Sequence, residues 1–92
     1  MYLPINLNIS QKRILFVGGG AVCLHKILAV QKFTSSITIV SKEFLPEVEA
    51  LGFHCITKEY DEHDLDTVNI VYACTNNTET NKRIHADAKR RG

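Results

Sequence analysis

Three consecutive glycines, Gly18 to Gly20, lie between a short apolar run and a segment with helical periodicity. In such a turn the backbone N–H groups at the start of the helix can bind a phosphate, because they lack partners within the helix. Gly18 allows the sharp strand-to-helix turn, and Gly20 lets the backbone approach a pyrophosphate without an intervening Cβ. A glycine turn also occurs without any ligand, but its position between strand and helix favours dinucleotide binding. The predicted phosphate contacts are Gly18, Gly19, Gly20, Ala21 and Val22.

A second group of polar residues follows the next apolar run, where the adenosine ribose of a dinucleotide is expected. An acid about 20 residues beyond the glycines normally holds the ribose hydroxyls, and here the sequence reads Ser41, Lys42 and Glu43. Ser41 can hydrogen-bond a ribose, Lys42 can accept a 2′-phosphate, and Glu43 comes slightly late for the usual acid. All three are predicted cofactor contacts. They leave open the choice between NAD and NADP, and they are equally compatible with an exposed loop.

Thr75 and Asn76 form the third group, at the carboxyl end of the last predicted strand. In an open parallel sheet this edge lies beside the glycine turn, and ligands bind there. These side chains offer hydroxyl and amide groups to the nicotinamide half of the cofactor or its ribose, and they are also good helix caps. We predict no catalytic residue and no metal ligand, because the sequence has no convincing nucleophile–base pair and its histidines and cysteines lack ligand spacing.

The composition limits the classes of protein to which the chain can belong. Its 92 residues suit a single domain, and its 45% of hydrophobic residues can build a core. The formal net charge of +1 gives no general attraction to nucleic acid or to an acidic membrane. The first residues lack the pattern of a signal peptide, and no run approaches the roughly 20 apolar residues of a membrane span. Three widely spaced cysteines indicate reduced thiols, so we expect a cytoplasmic protein.

The elements that must position these groups alternate between strands and helices. Short apolar runs predict buried strands, and apolar residues spaced three and four apart predict helices. The predicted strands cover residues 13–17, 37–40, 54–57 and 69–74, and the predicted helices cover residues 21–33, 46–51 and 79–91. Residues 60–66 are predicted as an acidic surface loop and residues 2–7 as a segment along a sheet edge. This order predicts an α/β fold, an open parallel Rossmann-type sheet of about four strands with helices on both faces.

Several of these motifs together resemble those of one known family. The family's glycine turn reads V-G-G-G-x-V-A-x-R-K, and residues 17–26 read VGGGAVCLHK. Its last strand and turn read A-A-T-[DN]-[DN]-x-x-x-N, and residues 73–81 read ACTNNTETN. A Leu-Pro start at residues 3–5 matches as well. The chain resembles the N-terminal NAD-binding domain of the precorrin-2 dehydrogenase and sirohydrochlorin ferrochelatase (siroheme synthase) family. Cys23 and His25 depart from the family's usual Ala and Arg.

The resemblance implies NAD as the cofactor and precorrin-2, a tetrapyrrole that is oxidised to sirohydrochlorin, as the substrate. It also implies a homo-oligomer and, in bifunctional members, iron insertion. In the family a further strand, an aspartate that acts in dehydrogenation, a dimerisation region and a C-terminal domain follow the position of Gly92. Residues 1–92 would thus be an NAD-binding Rossmann domain, truncated relative to the family and inactive by itself. The alternative is a non-catalytic module that binds or senses a dinucleotide, because fold alone does not define function.

Overall fold

A computed structural model describes residues 13–91, and its centre is a four-stranded parallel sheet. The strands are β1 (Ile14–Val17), β2 (Ile37–Ser41), β3 (His54–Thr57) and β4 (Ile70–Ala73). Their order across the sheet is β3-β2-β1-β4, so the chain crosses from one edge to the other between β3 and β4. This is the order of a Rossmann half, and its reversal point beside β1 opens a crevice at the carboxyl ends of the strands.

Strand β1 is buried on both faces, as its continuous apolar sequence predicts. Ile14 and Phe16 pack toward one face of the sheet, and Leu15 and Val17 pack toward the other. Each of the four side chains is at most 3% exposed. Because successive side chains of a strand point to opposite faces, such a run requires cover on both sides of the sheet.

Helices supply that cover. On one face, α1 (Ala21–Val30) and α2 (Pro46–Glu49) pack against the strands through buried residues such as Ile27. On the other face lie a 3₁₀ helix (Glu62–Leu65) and α3 (Thr78–Arg91). The predicted α/β fold, with an open parallel sheet and helices on both faces, is therefore confirmed.

The elements differ from the sequence prediction mainly at their ends and in residues 60–66. Those residues, predicted as a loop, contain the 3₁₀ helix, because two aspartates cap its start. The Asp61 carboxylate accepts a hydrogen bond from the backbone N–H of His63 at 2.8 Å, and the Asp64 carboxylate accepts one from the N–H of Asp61 at 3.0 Å. The sequence signal for this reciprocal cap is an acid repeated after three residues.

The last helix begins directly after a residue whose side chain caps it. The Asn77 side chain accepts a hydrogen bond from the backbone N–H of Thr80 at 3.1 Å, so α3 starts at Thr78. The predicted edge segment at residues 2–7 and the predicted helix end at Gly92 lie outside the described residues. No helix between residues 13 and 91 is long and apolar enough to cross a membrane.

Candidate functional site

The carboxyl ends of the four strands open into one cleft of about 950 Å³. Its volume falls at the upper end of the roughly 300–1,000 Å³ that is usual for small-molecule sites. The structure brings every predicted cofactor contact to the lining of this cleft: Gly18, Gly19, Gly20, Ala21, Val22, Ser41, Lys42, Glu43, Thr75 and Asn76. The cleft also has lining residues that the sequence did not predict as cofactor contacts: Lys58, Glu59, Tyr60, Thr80 and Arg83.

The first two glycines of the turn are required by the fold itself. Gly18 has a φ of +130°, and a Cβ there would lie 2.6 Å from the backbone oxygen of Cys74. A Cβ on Gly19 would overlap the backbone oxygen of Glu43, while the Gly19 carbonyl accepts a hydrogen bond from the Leu45 N–H at 2.9 Å. Both positions therefore press against neighbouring backbone, which leaves no room for a side chain.

Gly20 differs from its two neighbours. It is the N-cap of α1, its φ of −97° is open to any residue, and a Cβ there would meet nothing within 4 Å. The helix start has no side-chain cap and no acidic residue in its first turn. Because free N–H groups at a helix start attract anions, this end of α1 is suited to bind a pyrophosphate, and the open space beside Gly20 can admit it.

Cys23, at the third position of the glycine motif, lies in the core and not in the cleft. It is fully buried between α1 and the sheet, in the same cluster as Cys74. Contact with the Cys74 thiol and then burial raise the pKa of Cys23, which keeps this thiol protonated. The larger residue at a position usually held by Gly or Ala is thus accommodated in the helix–sheet contact.

At the end of β2 the three predicted ribose contacts are partly engaged with their neighbours. The Ser41 hydroxyl donates to the Glu43 carbonyl at 2.7 Å and accepts a longer hydrogen bond from the Glu43 N–H at 3.4 Å, so toward a ligand it can act only as an acceptor. Lys42 forms an ion pair with Glu59, with 2.9 Å between Nζ and Oε1. The hydrogen bond and charge of this pair raise the pKa of Lys42 and lower the pKa of Glu59.

Thr75 is held by a network within its own turn. Its hydroxyl lies 2.6 Å from Oδ1 of Asn81 and 3.0 Å from the Asn77 carbonyl, and it accepts a hydrogen bond from the Asn77 N–H at 3.1 Å. The Asn81 amide also donates to the Thr75 carbonyl at 3.1 Å. Asn81 therefore fixes the shape of the turn, and the exposed Asn76 beside it has no hydrogen bond of its own among the described side chains.

On the other side of the cleft a buried contact ties the end of β3 to α3. The Tyr60 hydroxyl donates to Asp87 at 2.7 Å, and the Arg83 guanidinium lies 4.9 Å from the centre of the Tyr60 ring. Burial and then the hydrogen bond to Asp87 raise the pKa of Tyr60. Lys58 beside it is paired with Asp61 and Asp64. The Lys58 pairs are local in sequence, whereas the contacts of Tyr60 with Asp87 and Arg83 join segments more than 20 positions apart, so no local pattern indicates them.

The geometry defines a nucleotide-binding Rossmann cleft, and the comparison with protein families agrees. Residues 5–92 match the family described as "Putative NAD(P)-binding", so the chain belongs to this family of NAD(P)-binding domains. Its cofactor is therefore of the nicotinamide dinucleotide class.

Individual relatives narrow the class further. The chain is 31% identical to "Siroheme synthase 1" of Cronobacter sakazakii and 34% identical to "Siroheme synthase" of Zymomonas mobilis, in each case over 98% of this chain and 20% of the relative. A solved structure, "SirC, precorrin-2 dehydrogenase", superposes with a TM-score of 0.80 at 27% identity, over 95% of this chain and 46% of that one. The resemblance to the N-terminal NAD-binding domain of the siroheme synthase family is thus confirmed. The chain spans about a fifth of the length of these curated relatives.

Proposed function

We propose that this chain is the NAD-binding part of a precorrin-2 dehydrogenase, which oxidises precorrin-2 to sirohydrochlorin in sirohaem synthesis. The observation that carries the proposal is the uncapped start of α1 beside Gly20, which opens into a cleft at the carboxyl ends of a Rossmann sheet. A dinucleotide fits this arrangement, because its pyrophosphate needs N–H donors and close backbone approach. Bound NAD supplies the acceptor for the hydride that leaves the substrate.

The residues of the cleft divide among the parts of the cofactor. The pyrophosphate lies at Gly20 and the first N–H groups of α1, and the adenosine ribose lies at the end of β2 beside Ser41 and Glu43. The nicotinamide half lies toward Thr75 and Asn76, where the exposed Asn76 amide can donate to and accept from it. The network around Asn81 holds this end of the cleft in one shape, which lowers the entropy lost on binding.

Partner and location follow from the same proposal. The substrate is a tetrapyrrole polycarboxylate, and the enzyme acts in the cytoplasm. β4 is an edge strand of the described sheet, with Ile70 and Tyr72 half-buried on it. Because an apolar edge strand invites pairing, we expect this chain to self-associate there. Light scattering after size-exclusion chromatography tests this, and a monomer at all concentrations would contradict it.

A non-catalytic module that binds or senses a dinucleotide is the second candidate. Three ionisable side chains that line the cleft are already paired, Lys42 with Glu59, Lys58 with two aspartates, and Tyr60 with Asp87. These contacts, together with burial at Tyr60, raise the pKa values of Lys42, Lys58 and Tyr60, so each holds its proton and is a poor general acid or base near neutral pH. This favours a chain that positions the cofactor and leaves acid–base chemistry to other groups.

Calorimetry separates the cofactor assignment from the activity. We expect the 92-residue chain to bind NAD, and we expect the Gly20→Val variant to lose that binding. Titration with S-adenosylmethionine serves as the matched nucleotide control. Absence of NAD binding together with tight binding of another nucleotide would overturn the cofactor assignment.

An assay of the same chain with precorrin-2 and NAD then addresses the chemistry. We expect no useful turnover from these residues alone. Clear turnover would place the catalytic group within them and would eliminate the non-catalytic candidate.

A further inference from the structure

A carboxylate from the segment after β3 is paired with the lysine that directly follows β2. Lys42 follows β2 directly, and its Nζ lies 2.9 Å from Oε1 of Glu59, which comes two residues after β3. Both side chains line the cleft, and they are 70% and 74% exposed. The lysine that the sequence offers to a 2′-phosphate therefore already has a counterion.

The sheet register puts this pair side by side. β2 and β3 are parallel neighbours, with Ser41 opposite Thr57, and the Lys58 N–H donates to the Ser41 carbonyl at 3.0 Å. The chains leaving the two strands therefore run next to each other at the edge of the cleft. Because this placement depends on strand pairing, Lys42 and Glu59 meet although they are far apart in sequence.

The charges at this end of the cleft sum to a negative value. Lys42 is flanked by two carboxylates, Glu59 and Glu43, and the neighbouring cation Lys58 is paired with Asp61 and Asp64. A ribose that carries free hydroxyls can donate hydrogen bonds to carboxylates, whereas a 2′-phosphate meets repulsion from them. The remaining cation of the cleft, Arg83, lies over the Tyr60 ring and donates to the Tyr60 carbonyl.

We propose that Glu59 determines cofactor choice in this chain: it neutralises Lys42 and repels a 2′-phosphate, so that NAD binds in preference to NADP. The proposal rests on the proposed NAD-binding function and names the residue behind its specificity. Glu59 acts through charge, so the amide in Glu59→Gln removes its effect while keeping its size.

Calorimetric titrations with NAD and NADP at low ionic strength test this. The parent is expected to bind NAD more tightly. In Glu59→Gln the ratio of the two dissociation constants should move toward NADP by about three- to tenfold, the Coulomb energy of two charges about 6 Å apart at an effective dielectric constant of about 40 to 80. Adding Lys42→Gln to that variant should remove the gain. Raising the salt concentration should shrink it, because exposed charges are screened.

Glu47→Gln is the matched control, because Glu47 is an exposed glutamate on α2 that does not line the cleft. It should leave the NADP-to-NAD ratio unchanged. An equal ratio in Glu59→Gln and in the parent, with NAD binding intact in both, would overturn the role of Glu59. So would an equal shift in Glu47→Gln, since net charge alone would then explain it. A parent that binds neither dinucleotide would instead overturn the proposed function, and this inference with it.

Discussion

Substitutions at two glycines of the same turn should affect different properties: stability at Gly18 and NAD affinity at Gly20. Gly18→Ala should destabilise the fold, because its φ of +130° costs an alanine about 1–3 kcal/mol. In addition, the new Cβ would lie 2.6 Å from the Cys74 carbonyl oxygen. That backbone cannot move freely, since the Cys74 N–H donates to the Val17 carbonyl at 3.0 Å. We expect a loss of about 3 kcal/mol or more, out of a total stability of about 5–15 kcal/mol.

Gly20→Val should keep most of the stability of the fold but lose NAD binding. A Cβ at Gly20 meets no atom within 4 Å, and its φ of −97° suits a valine. The change in the free energy of unfolding should therefore be about 1 kcal/mol or less, the usual difference between residues at an N-cap. The two methyl groups occupy the space through which a pyrophosphate reaches the start of α1. Affinity for NAD should fall by at least about 100-fold, equivalent to about 2.7 kcal/mol.

Urea unfolding followed by circular dichroism, and calorimetric titration with NAD, measure the two effects separately. Gly52→Ala is the control for Gly18→Ala, because Gly52 has a φ of +82° but open space around its Cβ position. This variant carries strain without a clash and lies outside the cleft, so it should lose about 1 kcal/mol and bind NAD normally. The reasoning is refuted if Gly18→Ala is as stable as Gly52→Ala, or if Gly20→Val binds NAD as the parent does.

Three further expectations concern the contacts around the cleft. Tyr60→Phe removes the hydroxyl that donates to Asp87 and should lower the free energy of unfolding by about 1–2 kcal/mol in urea titrations at neutral pH. That hydrogen bond lowers the pKa of Asp87 below its usual 3.8, so the stabilisation is present above pH 3.8 and is lost as the pH falls. The difference in free energy of unfolding between parent and variant should therefore narrow in acid. A difference that stays constant with pH would contradict this. Asn81→Ala removes the hydrogen bonds that hold the turn at Thr75. It should weaken NAD binding by about five- to tenfold and speed amide hydrogen exchange at Asn76. Unchanged exchange would exclude a positioning role for Asn81.

The sequence predicts the centre of the fold best, because local chemistry decides it. Four apolar residues before a glycine predict a strand with both faces covered, and β1 is such a strand. The predicted phosphate turn likewise depends on adjacent residues alone. Elements with weaker patterns are located less well: α1 ends at Val30, before its predicted end, and the Asp61 cap turns a predicted loop into a 3₁₀ helix.

Two polar pairs of the cleft could not be predicted, because each joins residues that only the folded chain brings together. Lys42 meets Glu59 through the register of β2 and β3, and Tyr60 meets Asp87 across 27 positions of the chain. The sequence offered Lys42 as a partner for a 2′-phosphate. The structure gives that lysine a carboxylate partner, Glu59, while every predicted cofactor contact remains in the lining of the cleft.

The three glycines also show how one motif contains separate constraints. Gly18 is held by the backbone at the end of β4, and Gly19 is held by the backbone that follows β2. Either would be required in a domain with no ligand at all. Only Gly20 has no neighbour that demands a glycine, since its φ is ordinary and its surroundings are open. Glycine is a common N-cap residue, so folding explains Gly20 in part, but an N-cap that provides no side-chain hydrogen bond and faces a cleft leaves the helix N–H groups free for a ligand. Gly20 therefore supports a dinucleotide site more strongly than the run of three glycines does as a whole.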